Sequence, residues 1–395
     1  MTQSSAEQMR AWTGPAVLSF GFRPFFLFGA LWVTLAMVLW IVTLSGGFDL
    51  PSRLDPVSWH AHAFLFGYLG AVLAGFLLTA VPNWTGRLPL VGWRLAALFS
   101  LWCAGRVAVL ISAALPGWLA PAIDLAFPFV LGAVILREIV AGRNWRNLMV
   151  LGLLGVFTVA NLIFHVEAAR GSYAAQGLGL RLGVASAVMM IAVIGGRIVP
   201  SFTRNWLARS GDDARPAPPM QRFDKAVLLI SIACLSLWIA MPERPLSGLS
   251  LIILGLLHLL RLTRWQGHRT GAEPLVWVLH VSYGFIPLGA LALGASILTG
   301  GVAAPAAQHL WMTGAIGAMT LAVMTRATLG HTGATLHADR PTLAIYLAIF
   351  GAAVARLGTE VAPLLTQVSG LLWLAAFGGF VMVYGPRLLR PSRKG

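Results

Sequence analysis

Trp59-His60-Ala61-His62 opens the run Ala63-Phe64-Leu65-Phe66-Gly67-Tyr68-Leu69-Gly70-Ala71-Val72-Leu73-Ala74-Gly75-Phe76-Leu77-Leu78-Thr79-Ala80-Val81, in which no residue is charged. About 20 apolar residues suffice to cross a bilayer as a helix, so this stretch reads as a transmembrane segment. Two imidazoles stand at its mouth. A ring nitrogen in hydrocarbon needs a hydrogen bond, a metal or water, which makes the pair a candidate functional site. Most of the nine histidines lie in or beside apolar spans. The chain therefore reads as a membrane scaffold that carries a metal or haem inside itself.

The rest of the chain agrees. Of 395 residues, 58% are hydrophobic and 10% charged, and the mean hydropathy is +0.79. A soluble domain is about 25% charged. The spans fall at about Phe25–Leu44, Trp59–Val81, Val91–Ala113, Leu119–Val140, Asn147–His165, Gln176–Val199, Ala226–Met241, Leu246–Leu262, Pro274–Leu298, Ala306–Met324, Thr342–Leu357 and Pro363–Tyr384. This predicts an all-α polytopic membrane protein of about twelve transmembrane helices, with residues 1–395 as a single integral membrane domain. A stretch holding Glu7 and Arg10 precedes the first span, which is too long for a signal peptide's core, so an uncleaved anchor is expected.

Most of the 28 Lys and Arg fall in alternate connections, with Arg10, Arg23, Arg87, Arg94, Arg137, Arg143, Arg146, the group Arg197 to Lys225, Arg261, Arg264, Arg269, Arg326, Arg340, Arg387, Arg390, Arg393 and Lys394 on one side. The positive-inside rule then puts both termini in the cytoplasm. The net charge of +15 follows from this topology and from contact with anionic membrane lipid, not from nucleic-acid binding. Two cysteines in apolar spans, Cys103 and Cys234, give no disulfide framework, and there is no Cys-x-x-Cys-His for covalent haem. The longest polar link, residues 203–225 between helices 6 and 7, is too short to fold alone. Electrons, where needed, must come from quinol or another redox protein.

Three helix ends resemble one another and recur every four spans. They are Val81-Pro82-Asn83-Trp84-Thr85-Gly86-Arg87 on helix 2, Val199-Pro200-Ser201-Phe202-Thr203-Arg204-Asn205-Trp206 on helix 6, and Thr325-Arg326-Ala327-Thr328-Leu329-Gly330-His331-Thr332-Gly333 on helix 10. Three groups of four is the arrangement they suggest.

The topology sorts the histidines by depth. His60, His62, His165 and His309 fall toward the outer face, whereas His258, His268, His331 and His337 fall toward the inner face, with His280 somewhat deeper. Helical rise puts His309 and His331 about 33 Å apart, so they cannot share a metal. Residues two apart on a helix point about 200° from each other, so His60 and His62 are expected to take different tasks. One would be a haem axial ligand and the other a ligand or hydrogen-bonded support of a second metal, with His309 or His165 as the partner across the bundle. His258 and His268 flank Arg261, Arg264 and Arg269 and read as a solvated face. His280 and His331 are weaker metal candidates. Arg106, Asp124, Glu167, Arg170 and Arg181 share the outer layer. Arg106 and Arg181 are candidates for haem carboxylates. Asp124 and Glu167 either relay protons or pair with these arginines.

The chain resembles the NnrS family of haem- and copper-containing bacterial membrane proteins of nitric oxide metabolism. The resemblance rests on Gly21-Phe22-Arg23-Pro24-Phe25-Phe26, on Trp59-His60-Ala61-His62 leading to Gly75-Phe76-Leu77-Leu78-Thr79-Ala80-Val81-Pro82-Asn83-Trp84-Thr85-Gly86, on Asn161 with Phe164-His165, on Gly195-Gly196-Arg197 with Phe202-Thr203-Arg204-Asn205-Trp206, and on His309 with Gly314-Ala315-Ile316-Gly317 and Met324 to Gly333. After the second histidine the family often has Glu-Met, and this chain has Ala63-Phe64. A more distant likeness is to the catalytic subunit of haem-copper oxidases, although helices 6 and 7 carry no histidine here.

The resemblance implies haem b, with copper as the further metal, nitric oxide as ligand and the bacterial inner membrane as location. The reading is a protein that binds nitric oxide and reduces it to nitrous oxide, with His60 and His309 for haem and His62 and His165 for the second metal. The alternatives are a non-enzymatic nitric oxide sink or sensor, and a twelve-helix transporter, which would purify without haem colour.

Overall fold

The computed structural model describes residues 12–86, 89–301 and 303–391. Arg10, Arg87, Arg393 and Lys394 of the charge pattern, and Glu7 of the expected anchor's flank, lie outside them. All regular structure among the described residues is helical. The helices are α1 (Phe22–Leu44), α2 (Pro56–His62, Ala63–Leu69 and Gly70–Thr85 in one run), α3 (Trp93–Leu110), α4 (Leu119–Ala141), α5 (Leu148–Ala169), α6 (Leu178–Arg209), α7 (Arg222–Ala240), α8 (Pro245–Thr263), α9 (Pro274–Thr299), α10 (Ala304–His309, Leu310–Ala318 and Met319–Thr332), α11 (Arg340–Leu357) and α12 (Leu364–Leu389). Eleven are long and apolar enough to cross a membrane, so the chain is an all-α, multi-pass membrane protein. The twelfth, α10, is helical along its whole expected length but is not among those eleven. Its Gln308, His309 and Arg326 dilute its hydropathy.

Helix caps explain where the runs begin. Asp55 accepts from the amides of Val57 and Ser58 ahead of α2, and Gln221 and Asp224 form a reciprocal capping box that starts α7. That cap sets a boundary the hydropathy pattern misses: α6 continues to Arg209 and α7 begins at Arg222, which leaves residues 210–221 as the connector. It is pinned by Asp212, which accepts from Arg269, and by the Ala217 amide, which donates to the Arg264 carbonyl.

Contacts divide the chain into two units. The first holds α1 to α5, the start of α6 up to Gly183, Ala327–Thr335 and the chain from Phe380. Within it α1 packs on α2 and α3 on α4. Arg23 is buried and donates to the carbonyls of Leu388 (3.0 Å) and Arg390 (2.6 Å), satisfying the end of α12. The Gly-Phe-Arg-Pro motif is therefore an anchor for the last helix. The second unit is Val184–Arg326 with Leu336–Gly379, where α8 packs on α9, and α9 and α11 pack on α10.

Helices α2, α6 and α10 each contain a π-helical segment: Ala63–Leu69, Ile191–Gly195 and Leu310–Ala318. These are the same helices whose ends share a sequence pattern. The wider turn frees backbone carbonyls, and side chains take them up. Trp32 and Trp102 donate to Ala63 and Gly67 in α2, Arg261 to Ala192 in α6, and Thr320 to Ile316 in α10.

Candidate metal centre

His62 is the last residue before the α2 π segment and is completely buried. The cluster around it draws side chains from α3, α4 and α5. Asn161 and His165, four residues apart on α5, share one face of that helix. Asp124 on α4 is 1% exposed and lies between them. A carboxylate only accepts, so the ring nitrogens must donate: His62 Nε2 at 3.1 Å and His165 Nε2 at 3.0 Å both reach Asp124 Oδ2. Asn161 Nδ2 donates to the same oxygen at 2.8 Å, and its Oδ1 accepts from His62 Nε2 at 3.1 Å. Arg106 on α3 forms a buried ion pair with Asp124 Oδ1.

The Asp124 carboxylate is set against the Arg106 guanidinium, so the charge of this buried pair is balanced. Gly67 makes room for it, since a Cβ there would collide with Arg106 Nη1. One His62, one His165 and one Asp124 ligand atom lie within 4.8 Å of one another, a 2-His-1-carboxylate donor set. His62 Nδ1 is buried with no hydrogen-bond partner among the described residues. Replacing the two Nε2 protons by a cation would keep the rings where they are. The residues fit a first-row transition metal. An apolar recess reaches the cluster, lined by Phe66, Phe127, Leu131 and Phe157 alongside Asp124 and Arg106.

The other expected site residues lie elsewhere. His60 stacks on Trp40 (4.5 Å between ring centroids) and packs at a tilt against Phe64 (4.4 Å), and it is not part of the His62 group. His309 is in the second unit, where its Nδ1 donates to the Pro305 carbonyl at 2.6 Å. Arg181 Nη1 donates to the Gln176 carbonyl at 2.6 Å. Arg106, proposed for a haem carboxylate, is engaged by Asp124 instead, because an apolar span leaves it no better anion. His280 Nε2 donates to Thr203 Oγ1 at 2.7 Å, and His331 packs on the rings of Phe20 and Phe22. Neither joins a metal-ligand group among the described residues. Glu167 pairs with no arginine among the described residues; it caps α6 by accepting from the amides of Leu178 and Gly179.

His258 and Arg261 are not a solvated face. Both are fully buried, and Arg261 donates to Asp224 Oδ1 (2.8 Å), Tyr283 Oη (2.8 Å) and the Ala192 carbonyl. Tyr283 then donates to His258 Nδ1 at 2.8 Å, and His258 Nε2 donates to Ser231 Oγ at 2.9 Å. Ser231 Oγ donates in turn to the Val227 carbonyl, so the chain of bonds ends on backbone. This network locks α7, α8 and α9 together. Gly196 of the Gly-Gly-Arg motif serves it, since a Cβ there would occupy the place of Arg261 Nη2.

Two side chains of the metal cluster escaped sequence reasoning in that role. The sequence reads Asp124 as a proton relay or a partner of the nearby arginines, and it does pair with Arg106, but its bonds to the two histidines were not expected; Asn161 entered only as part of a motif. The i, i+4 spacing of Asn161 and His165 was the available signal.

Fold and cluster together define a multi-pass α-helical membrane protein with a buried His/Asp centre of metal-binding character. The chain matches the family model for NnrS protein over residues 16–392, nearly its whole length, and belongs to the NnrS family. It is thereby a membrane protein related to nitric oxide. No curated protein matches it.

Proposed function

We propose that this protein holds haem b and a second metal, copper or iron, binds nitric oxide and reduces it to nitrous oxide, contributing to nitric oxide resistance. The observation that carries the reading is the buried pair of imidazoles on one carboxylate, His62 and His165 on Asp124, in a chain of this family. Haem would supply an iron atom with an open position for a diatomic ligand. His309 would hold the iron: its Nδ1 donates to the Pro305 carbonyl, which fixes the ring and leaves Nε2 free to bind. His60 is the other candidate.

Nitric oxide is apolar and partitions into lipid. The phenyl-lined recess beside Asp124 offers it a dry approach to the His62–His165 pair. Joining two molecules of nitric oxide consumes two electrons and two protons and yields nitrous oxide and water. A neutral imidazole binds a cation at Nε2 by moving its proton to Nδ1, so a metal on His62 and His165 would take the place of the two N–H donors without moving either ring. Asn161 holds Asp124 and His62 in register, and Arg106 balances the carboxylate. Electrons come from quinol or a redox protein. The charge pattern supports a bacterial inner-membrane location with both termini cytoplasmic.

Purified protein tests this directly, by metal analysis and an optical spectrum before and after anaerobic nitric oxide, followed by gas chromatography under reducing conditions. The expected result is a Soret band that shifts with nitric oxide, one further metal that His62→Ala removes, and nitrous oxide in the headspace. A shifted Soret band without nitrous oxide would reduce the protein to a sink or sensor. A colourless, metal-free protein would overturn the reading.

A further inference from the structure

Arg106 has more donors than the metal cluster uses. Its side chain is 5% exposed, and Nη2 pairs with Asp124 Oδ1. Nε and Nη1 are buried as well, and neither has a hydrogen-bond partner among the described residues. The same side chain forms part of the wall of the recess beside Asp124, together with Phe66, Gly70, Phe127 and Leu131. That recess is small, with room for about one water molecule. A buried N–H without an acceptor is costly and rare in a folded chain, and here it borders a space that an acceptor from outside the chain can enter.

Charge decides what kind of acceptor that is. Arg106 and Asp124 already balance each other. Imidazoles that ligate a cation are neutral, so a metal on His62, His165 and Asp124 adds its whole charge to a balanced pair. An excess charge inside an apolar bundle calls for a counter-ion. We propose that the recess takes up one water-sized monovalent anion, of the class of hydroxide or fluoride, together with the metal. The inference rests on the metal reading above and names a further ligand of that centre. Nη1 packs against Gly67, which is not part of the recess wall, so Nε is the donor that meets the anion. The phenyl rings of the wall keep bulk water from competing. Metal and anion then favour each other's binding by the same factor. Nitric oxide approaches by the same recess, so it must displace the anion.

The test loads the purified full-length protein with copper(II), as wild type and as His62→Ala, Arg106→Lys, Gly70→Ala and Gly132→Ala. Arg106→Lys keeps the charge opposite Asp124 but puts a methylene in place of the Nε–H. Gly70→Ala puts a methyl into the recess at an ordinary contact distance from Phe127 Cε1, 3.8 Å, and Gly132→Ala adds one where nothing lies within 4 Å. Sodium fluoride is titrated against the copper electron paramagnetic resonance signal, read apart from that of haem iron, with sodium perchlorate at equal ionic strength as the control. Fluoride should add its nuclear splitting to the wild-type and Gly132→Ala signals and saturate at one anion per copper, whereas perchlorate should leave them unchanged. Arg106→Lys and Gly70→Ala should each need at least about tenfold more fluoride. A wild-type copper signal that depends on His62 yet ignores fluoride would overturn the proposal and leave the metal reading standing. A wild-type response to fluoride in either Arg106→Lys or Gly70→Ala would overturn it too, and if Arg106→Lys takes up no copper, Gly70→Ala decides alone. The same copper signal in His62→Ala would remove the metal from this cluster, and the proposal with it.

Discussion

Replacing Asp124 by Asn separates the two jobs this carboxylate does. Asp124 accepts three bonds on Oδ2 and pairs with Arg106 through Oδ1, all of it buried. An Asn there keeps one acceptor oxygen but turns an NH2 toward groups that are themselves donors, and it leaves the Arg106 charge uncompensated. Breaking one side of a buried ion pair costs about 3–5 kcal/mol, several times the 0.5–1.5 kcal/mol of an ordinary hydrogen bond. The variant should therefore unfold at markedly lower temperature in detergent and also lose the second metal. Adding Arg106→Gln to Asp124→Asn removes the stranded charge, so the double variant should recover most of the thermal stability and none of the metal. Arg106→Gln alone should weaken metal binding by about 10- to 100-fold, as loss of a group that orients a ligand does. Thermal melts and metal analysis on the same samples separate these outcomes. Wild-type metal content in Asp124→Asn would refute Asp124 as a ligand, and a double variant as unstable as the single one would refute the charge-balance argument.

The same geometry sets other outcomes. Gly67→Ala should destabilise the first unit and weaken metal loading, because its Cβ collides with Arg106 Nη1; unchanged loading would show that Arg106 can move without consequence. Arg23→Ala frees the carbonyls at the end of α12 and should cost about 2 kcal/mol, read as faster hydrogen exchange near residues 385–390. Bonds from the Ala214 amide and from Arg269 hold the Asp212 carboxyl below its ordinary value. A depressed folded-state value stabilises the connector above about pH 4 and is lost as pH falls through it, so proteolysis of residues 210–221 should rise only in acid and should lose this pH dependence in Asp212→Asn.

Hydropathy made the bundle legible because a membrane forbids unpaired backbone and so leaves helices as the default. The same reading was blind to caps: the run from Val199 to Arg209 looks polar, yet it is helix, since an amphipathic end at the interface needs no apolar majority. For the site, the sequence identified the right residue types without their pairings. His62 and His165 could be named because histidine in a span is rare. Their common partner could not, because Asp124 is 62 residues from His62 along the chain and 41 from His165, and only the packing of α2, α4 and α5 brings them together. Arg261 and His258 were misread for the complementary reason: their neutralising partners, Asp224 and Tyr283, lie on α7 and α9.

The π segments connect the fold to the site. His62 lies at the junction where α2 passes from α-helical to π-helical turns, and His309 lies at the same kind of junction on α10. A π segment re-aims the turns before it relative to the turns after it, and it frees carbonyls that side-chain donors must satisfy. Helix α6 carries such a segment too, yet has no histidine at its junction, and its freed Ala192 carbonyl goes to Arg261. The helices whose ends share a sequence pattern, α2, α6 and α10, are thus also the three that carry a π segment. The metal role proposed for His62 and the haem role proposed for His309 both fall at such a junction, whereas α6 uses its segment for packing against Arg261.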